Sequence, residues 1–336
     1  MSYSVKIEPS GHHFTVEQDE SILDAGLRQG VTLPYGCRDG ACGACLGKLK
    51  SGQVSYPDGP PVALSEEDEK QNMAIFCQAH AQSNLIIESD EVENSRDIQI
   101  KTLPCRISEL RRLNHDVMLV TLKLPETERM QFMAGQYIDF LLEDGRKRAF
   151  SLANAPHEDK DLELHIRHVE NGRFTGQVFG SLKVKDMMRI EGPYGQFFLR
   201  EDSDRPIIFM AGGTGFAPIK GIIEHALAAG IARPMHLYWG VRKREDLYMH
   251  ELAQQWSDEH SNIEYRPVLS EAADDDWMGL RGHVHSAIIA DFPDLSGYEI
   301  YASGPPVMVY AGRDSFAGQG LDPGHYYSDA FELPND

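Results

Sequence analysis

Four cysteines in a fixed pattern restrict this chain more than any other feature. Cys37, Cys42 and Cys45 form C-x4-C-x2-C, and Cys77 follows after 31 intervening residues, the thiolate spacing of a plant-type 2Fe-2S centre. A polypeptide that wraps such a centre needs a loop whose backbone N–H groups face sulfur. Gly36, Gly40 and Gly43 interleave with the ligands and supply the positive φ and close backbone approach such a loop demands. A zinc site is the competing metal reading, but structural zinc favours paired short hooks, and the second hook here is a lone Cys77. The fifth cysteine, Cys105, stands alone and reads as a small buried hydrophobe.

At 336 residues the chain exceeds one ordinary core, and two or three domains of roughly 100 to 150 residues are expected. Thiols crowded between Cys37 and Cys45 suit ligation in a reducing compartment better than disulfides. The first ten residues lack the basic-then-apolar order of a secretory signal, and no run approaches the ~20 apolar residues of a membrane span. A cytoplasmic location is therefore the expectation. Acidic side chains number 52 against 32 basic ones, a formal charge of -20, so phosphate backbones and anionic lipid would repel the protein. Neither nucleic acid nor membrane is an expected partner. Residues 1–95 hold 15 of the acids and 6 of the bases, read either as solubility charge or as an acidic docking face.

Alternation in Tyr3 to Pro9 and His13 to Val16 around Ser10-Gly11 predicts an N-terminal hairpin. Ser21 is placed to cap a helix through Arg28 that stops at Gly30. Short strands are expected at Leu46 to Leu49 and Leu85 to Glu88, with a helix opening behind Ser65 on the acids Glu66 to Glu69. The polar stretch Ser89 to Thr102, with Pro104 after it, reads as a linker. Beyond it, short strands at Val117 to Leu124, Tyr137 to Leu142, Leu162 to His168 and Met188 to Glu191 predict an antiparallel β-barrel. After Pro206, strands at Ile207 to Met210 and Met235 to Trp239 alternate with helices at Ile219 to Ala229 and Leu247 to Trp256, which means a parallel α/β sheet.

Arg148-Ala149-Phe150-Ser151-Leu152 follows a barrel strand. Beside a flavin, Arg148 could neutralise a pyrophosphate, Phe150 stack on the ring and Ser151 hydrogen-bond near its reactive nitrogen. Gly172-Arg173-Phe174-Thr175 adds a turn with a hydroxyl suited to a phosphate. Gly212-Gly213-Thr214-Gly215-Phe216-Ala217-Pro218 lies between a strand and a helix, where glycine amides can approach a pyrophosphate. Its spacing departs from G-x-G-x-x-G and argues for a different dinucleotide sheet. A second loop, Ser303-Gly304-Pro305-Pro306, follows the apolar strand Tyr298 to Ala302 at the same kind of edge.

Together these motifs resemble the ferredoxin-NADP reductase superfamily. Their order is similar to that of the single-chain reductase components of bacterial multicomponent oxygenases and the related CDP-6-deoxyglucoseen reductases. The resemblance covers nearly the whole chain and implies three domains: a β-grasp plant-type ferredoxin domain (residues 1–95), a flavin barrel (103–202) and a nicotinamide domain (203–336). It implies a 2Fe-2S cluster on the four cysteines. FAD would be held by Arg148, Phe150, Ser151, Leu152, Arg167, Gly172, Phe174 and Thr175. NADH would lie on Gly212, Gly213, Thr214, Gly215, Pro218, Gly304, Pro305 and Pro306. Many members carry Cys where Ser303 stands, and Phe331 resembles a terminal aromatic that covers the flavin; Ser151, Ser303 and Phe331 are thus the candidate catalytic residues. Ser270-Glu271, with Asp274, Asp275 and Asp276 behind it, favours NADH over NADPH by repelling a 2'-phosphate, whereas Arg242-Lys243-Arg244 is the counter-argument. The implied activity is NADH-dependent reduction of a downstream oxygenase component, or else of a dehydrase acting on a nucleotide-linked deoxysugar, by a monomer. A non-catalytic redox sensor or carrier is the rival from another class.

Overall fold

In a computed structural model, residues 2–89, 98–272 and 277–331 are described. The chain divides into two compact units, the first ending at Ile100 and the second beginning at Lys101. The three acids Asp274, Asp275 and Asp276 and most of the expected linker lie outside the described residues.

The first unit is a five-stranded mixed sheet over one helix. Its order is His13–Glu17, Ser2–Glu8, Leu85–Glu88, Leu46–Ser51, Met73–Ile75. The hairpin pairs antiparallel with Val5 opposite Phe14, and Ile7 pairs in parallel with Ile87. Helix Ile22–Arg28 starts where Ser21 caps it, the hydroxyl accepting from the Asp24 amide at 3.1 Å. Its Ile22 and Leu23 are buried, as are Val5, Ile7 and Phe14 of the sheet, in a β-grasp unit. Helix Glu66–Lys70 buries nothing and is held by a Ser65/Asp68 capping box.

The second unit carries two sheets. Six antiparallel strands run in the order Lys147–Ser151, Tyr137–Leu141, Met187–Tyr194, Lys101–Arg112, Val117–Lys123, Asp161–Arg167. Leu103, Ile107, Leu122, Ile138, Phe140 and Leu164 fill their common core. The two edge strands meet at an isolated bridge, Leu152 to Leu164. The expected barrel is thus a curled sheet joined at one bridge, with no continuous closing ladder among the described residues. Lys101–Arg112 is a long strand where the polar stretch and a proline argue against one. Pro104 is tolerated because pairing to Val117–Lys123 begins only at Arg106, so at Pro104 the strand has one neighbour.

The other sheet is wholly parallel, in the order Leu280–Arg281, Ile263–Leu269, Met235–Val241, Ile207–Gly212, Glu299–Gly304, Tyr326–Ala330. Every residue of Ile207–Gly212 and Glu299–Gly304 is buried, as strands covered on both faces must be. Phe209 and Ala211 face helices Phe216–Ala228 and His250–Glu259, while Ile208 and Met210 face helices Val284–Asp291 and Pro306–Ala317. The chain leaves the central strand Ile207–Gly212 in one direction and later returns on its other side. That reversal makes the carboxyl edge beside Gly212 and Gly304 the topological switch point of the sheet, where ligands of such sheets bind.

Candidate functional site

Strand Met73–Ile75 delivers Cys77 to the loop that carries the other three cysteines, and the Gln78 side chain ties the two segments by donating to the Arg38 carbonyl at 2.9 Å. The amides of Asp39 and Cys42 donate to Cys37 Sγ, and the Cys37 amide to Cys42 Sγ, each at 3.4 Å. A Cβ on Gly36 would lie 3.1 Å from Cys42 Sγ, and Gly40 has φ of +75° with no room beside Gln78 and Pro61. Gly40 is therefore favoured by both its backbone and its neighbours, and Gly36 keeps the space beside Cys42 Sγ clear. The hydrogen bond from Cys42 draws the Cys37 thiol down to about 6, against the opposing effect of burial, and the same bond with burial pushes Cys42 up. Cys45 is likewise lowered by its bond with Cys77, which is raised. Four sulfurs converge with amides already aimed at them, a donor set that fits a 2Fe-2S cluster. Cys105 is buried in the flavin-sheet core, its thiol pushed up to about 12 by burial, in keeping with a packing role.

In the second unit, Arg148, Phe150 and Ser151 lie on the edge strand, opposite Phe140, Ile138 and Tyr137. Phe150 is half-buried, its ring 5.9 Å from Phe140 and 5.6 Å from Phe174. Phe174 and Leu152 are core residues, at 3% and 0% exposure, so they shape the strand and turn rather than present side chains to a ligand. Gly172 caps helix Arg173–Gly180, where the sequence predicts only a turn. The Thr175 hydroxyl is engaged inside that turn, accepting from the Val169 amide at 3.1 Å. Arg167 donates from Nε to Asp116 Oδ2 at 2.7 Å, and its Nη1 lies 3.5 Å from where a Cβ on Gly213 would stand. It sits between the flavin sheet and the dinucleotide loop.

The glycines of the parallel sheet interlock. A Cβ on Gly304 would stand 2.6 Å from the Gly212 carbonyl oxygen, and one on Gly215 would overlap the Ser303 carbonyl. Thr214 is half-buried in the short turn Gly213–Gly215, and Pro218 is buried in the first turn of the helix that follows. Pro306 opens helix Pro306–Ala317 behind the cap Pro305. The Gly213–Gly215 turn opens helix Phe216–Ala228, an end suited to a pyrophosphate, whereas Pro305 and Pro306 carry no N–H and the Met308 and Val309 amides donate to the Pro305 carbonyl. Ser303 is 0% exposed, and its Oγ has no hydrogen-bond partner among the described residues. An orphaned buried hydroxyl at this edge fits a missing ligand atom.

The candidate catalytic residues come together here through Asp329, to which the sequence assigns no role. The Ser151 hydroxyl donates to Asp329 Oδ2 at 3.1 Å, Asp329 stands opposite Ser303 in the parallel register, and the Phe331 amide donates to the Gly304 carbonyl at 2.9 Å. Glu271 is exposed, in a turn whose amide donates to the Arg242 carbonyl at 2.9 Å. Arg242, Lys243 and Arg244 are all exposed.

Beside helix Phe216–Ala228 lies a polar group centred on the buried Lys220 and His165, with half-buried Glu163 and Glu224, that has no sequence signal beyond its residue types. Lys220 Nζ donates to the Ala153 carbonyl at 3.1 Å and lies 2.9 Å from Glu224 and 3.2 Å from Glu163. Glu163 also meets His165 Nε2 at 2.9 Å, and His165 Nδ1 meets the Tyr248 hydroxyl at 3.0 Å. Burial pushes Glu163 up, but the His165 hydrogen bond and the Lys220 charge outweigh it and hold the carboxyl at about 2. Burial raises Glu224 and keeps His165 below its ordinary value. Trp239, fully buried, stacks on Phe216 at 3.9 Å and donates its indole N–H to the Gly213 carbonyl at 3.0 Å.

Comparison with known proteins matches three families along the chain: a 2Fe-2S iron-sulfur cluster binding domain over residues 5–82, an oxidoreductase FAD-binding domain over 104–199 and an oxidoreductase NAD-binding domain over 209–314. A CDP-6-deoxy-L-threo-D-glycero-4-hexulose-3-dehydrase reductase of Yersinia pestis is 40% identical, with 98% of this chain and 99% of the relative covered. The reductase component of phenol 2-monooxygenase from Pseudomonas sp. is 38% identical, with 93% and 89% covered. Among solved structures, an Amycolatopsis cytochrome P450 reductase superposes with a TM-score of 0.85 at 33% identity, with 98% of each chain covered.

Proposed function

The chain belongs to the family of oxidoreductases that join a 2Fe-2S domain, an FAD-binding domain and an NAD-binding domain in one polypeptide, and we propose how its residues divide the work of passing electrons from NADH to a partner protein. When bound, FAD takes an electron pair from nicotinamide and the cluster passes electrons on singly. Arg148 and the Gly172 to Thr175 turn hold the FAD pyrophosphate, with Arg167 between it and the dinucleotide loop, and Phe150 faces the flavin ring. Gly212 to Gly215 and Gly304 to Pro306 hold the nicotinamide dinucleotide. Ser151 and Ser303 orient the two reacting rings, Asp329 fixes the Ser151 hydroxyl, and Phe331 covers the flavin until nicotinamide displaces it. The observation that carries this assignment is the Ser151–Asp329 contact beside the Ser303 hydroxyl, which has no partner among the described residues. Cys37, Cys42, Cys45 and Cys77 ligate the cluster. We further read the chain as a cytoplasmic monomer built of modules 1–95, 103–202 and 203–336.

The acceptor is an oxygenase component or a dehydrase, since relatives of both kinds exist. The dehydrase reading is favoured by the 40% identity that spans 98% of this chain and 99% of that relative; the oxygenase reading is supported by the phenol 2-monooxygenase relative and by the Amycolatopsis fold match. Steady NADH-dependent reduction of cytochrome c tests the electron-transfer assignment, and its absence in cofactor-replete protein would refute it. Supplying a purified dehydrase with its CDP-hexulose, or an oxygenase component with its aromatic substrate, then decides between acceptors by product formation.

A further inference from the structure

We propose that Lys220 is a positioning residue for electron transfer from nicotinamide to flavin, locking the dinucleotide-binding helix onto the segment that follows Ser151. Helix Phe216–Ala228 begins directly at the Gly213–Gly215 turn, so a shift of this helix moves the loop that would hold the nucleotide. Lys220 lies one turn in and is 6% exposed. An ammonium has three N–H donors, and three acceptors surround this one: Ala153 O, Glu163 Oε1 and Glu224 Oε2. Ala153 is two residues beyond Ser151. The next helix residue, Gly221, lies so close to the same segment that a Cβ would stand 3.0 Å from the Asn154 carbonyl oxygen.

The polar path continues to the loop itself. Glu163 holds His165, His165 holds Tyr248, and Tyr248 packs edge-on at 5.1 Å against Trp239, whose indole holds the Gly213 carbonyl. Apolar packing already seats this helix on its sheet, and the ammonium adds directional contacts to the segment beyond Ser151. A buried ammonium between fixed acceptors admits one placement, because any slip strands a charge away from water. Misplacing reacting groups by about 1 Å can slow a reaction about 100-fold. A lock two residues from the flavin-facing serine is therefore placed to set that distance.

The lock rests on the flavin and nicotinamide assignment above: wild-type protein that NADH fails to reduce would count against that assignment, whereas unchanged variants of an active wild type would count against the lock alone. The experiment compares holoprotein carrying Lys220→Met, Lys220→Arg or Gly221→Ala by stopped-flow flavin reduction at saturating NADH. Calorimetric binding of NAD+ and amide hydrogen exchange at residues 152–154 without nucleotide are measured alongside. We expect flavin reduction to slow at least tenfold in Lys220→Met and Gly221→Ala but less than threefold in Lys220→Arg. The NAD+ dissociation constant should rise less than threefold, with exchange at 152–154 at least tenfold faster. Unchanged reduction rates, or a loss confined to NAD+ affinity, would overturn the proposal. Should Lys220→Met fail to fold or lose its flavin, Gly221→Ala, which removes no charge, decides by the same criteria.

Discussion

Arg148 and Glu271 each offer a single charge on which the proposed flavin and nicotinamide assignments can be tested. Arg148 is half-buried on the edge strand of the flavin sheet, and contacts from a guanidinium to a pyrophosphate contribute roughly 1.5 to 3 kcal/mol each. Purified Arg148→Ala protein is expected to be flavin-depleted; normal FAD occupancy, measured by absorbance after denaturation, would refute its role. Glu271 is exposed beside Arg242 at the carboxyl edge of the parallel sheet. A carboxylate there repels the 2'-phosphate of NADPH and can accept from the free ribose hydroxyls of NADH. The kcat/KM ratio should therefore favour NADH, and Glu271→Arg should move it toward NADPH. A wild-type preference for NADPH would place Glu271 elsewhere in function. Ser151 was singled out by its motif, yet its contact with Asp329 was not foreseen. The two stand 178 positions apart, and no spacing in the chain encodes that approach.

Among the elements, the strand–turn–helix from Ile207 to Ala228 is where fold and site coincide. Its strand was readable over Ile207 to Met210 from an unbroken apolar run, and the structure extends it to Gly212 with all six residues buried; the glycines after it were readable from their place between strand and helix. Which neighbour those glycines meet was decided by the return of strand Glu299–Gly304 beside the first strand. Gly215→Ala would force a Cβ into the Ser303 carbonyl, overpacking that costs about 1 to 3 kcal/mol. The denaturation midpoint of the second unit should drop accordingly, and KM for NADH should rise. Tryptophan fluorescence reads that unit alone, since Trp239, Trp256 and Trp277 all belong to it. An unchanged midpoint would mean that the loop relaxes without cost. Strand Lys101–Arg112 shows the opposite case. Its buried Leu103, Cys105 and Ile107 do alternate with exposed residues, but Pro104 and the flanking charge masked the period until pairing with Met187–Tyr194 made it a strand.

For the whole molecule, the expected modularity has a direct test. Cys42→Ser removes one of four converging sulfurs in the first unit and none of the contacts of the second. The visible absorption of the cluster and reduction of one-electron proteins should vanish, while flavin content and NADH–ferricyanide turnover stay substantial; loss of flavin in the same variant would count against separable modules. The acidic balance of -20 bears on solubility and partner choice but not on the fold. By itself the amino-acid sequence determined that the chain carries a 2Fe-2S domain, the order of the three cofactor domains and the parallel character of the nucleotide sheet. Each of these rests on residues close together in the chain, or on burial patterns that repeat within one element. Only the tertiary structure decided that Ser151 meets Asp329, that Ser303 is left without a partner among the described residues and that Lys220 is held between Ala153, Glu163 and Glu224. Those groups come from different strands and helices, and their pairing depends on how two sheets pack, a long-range outcome that no local spacing carries.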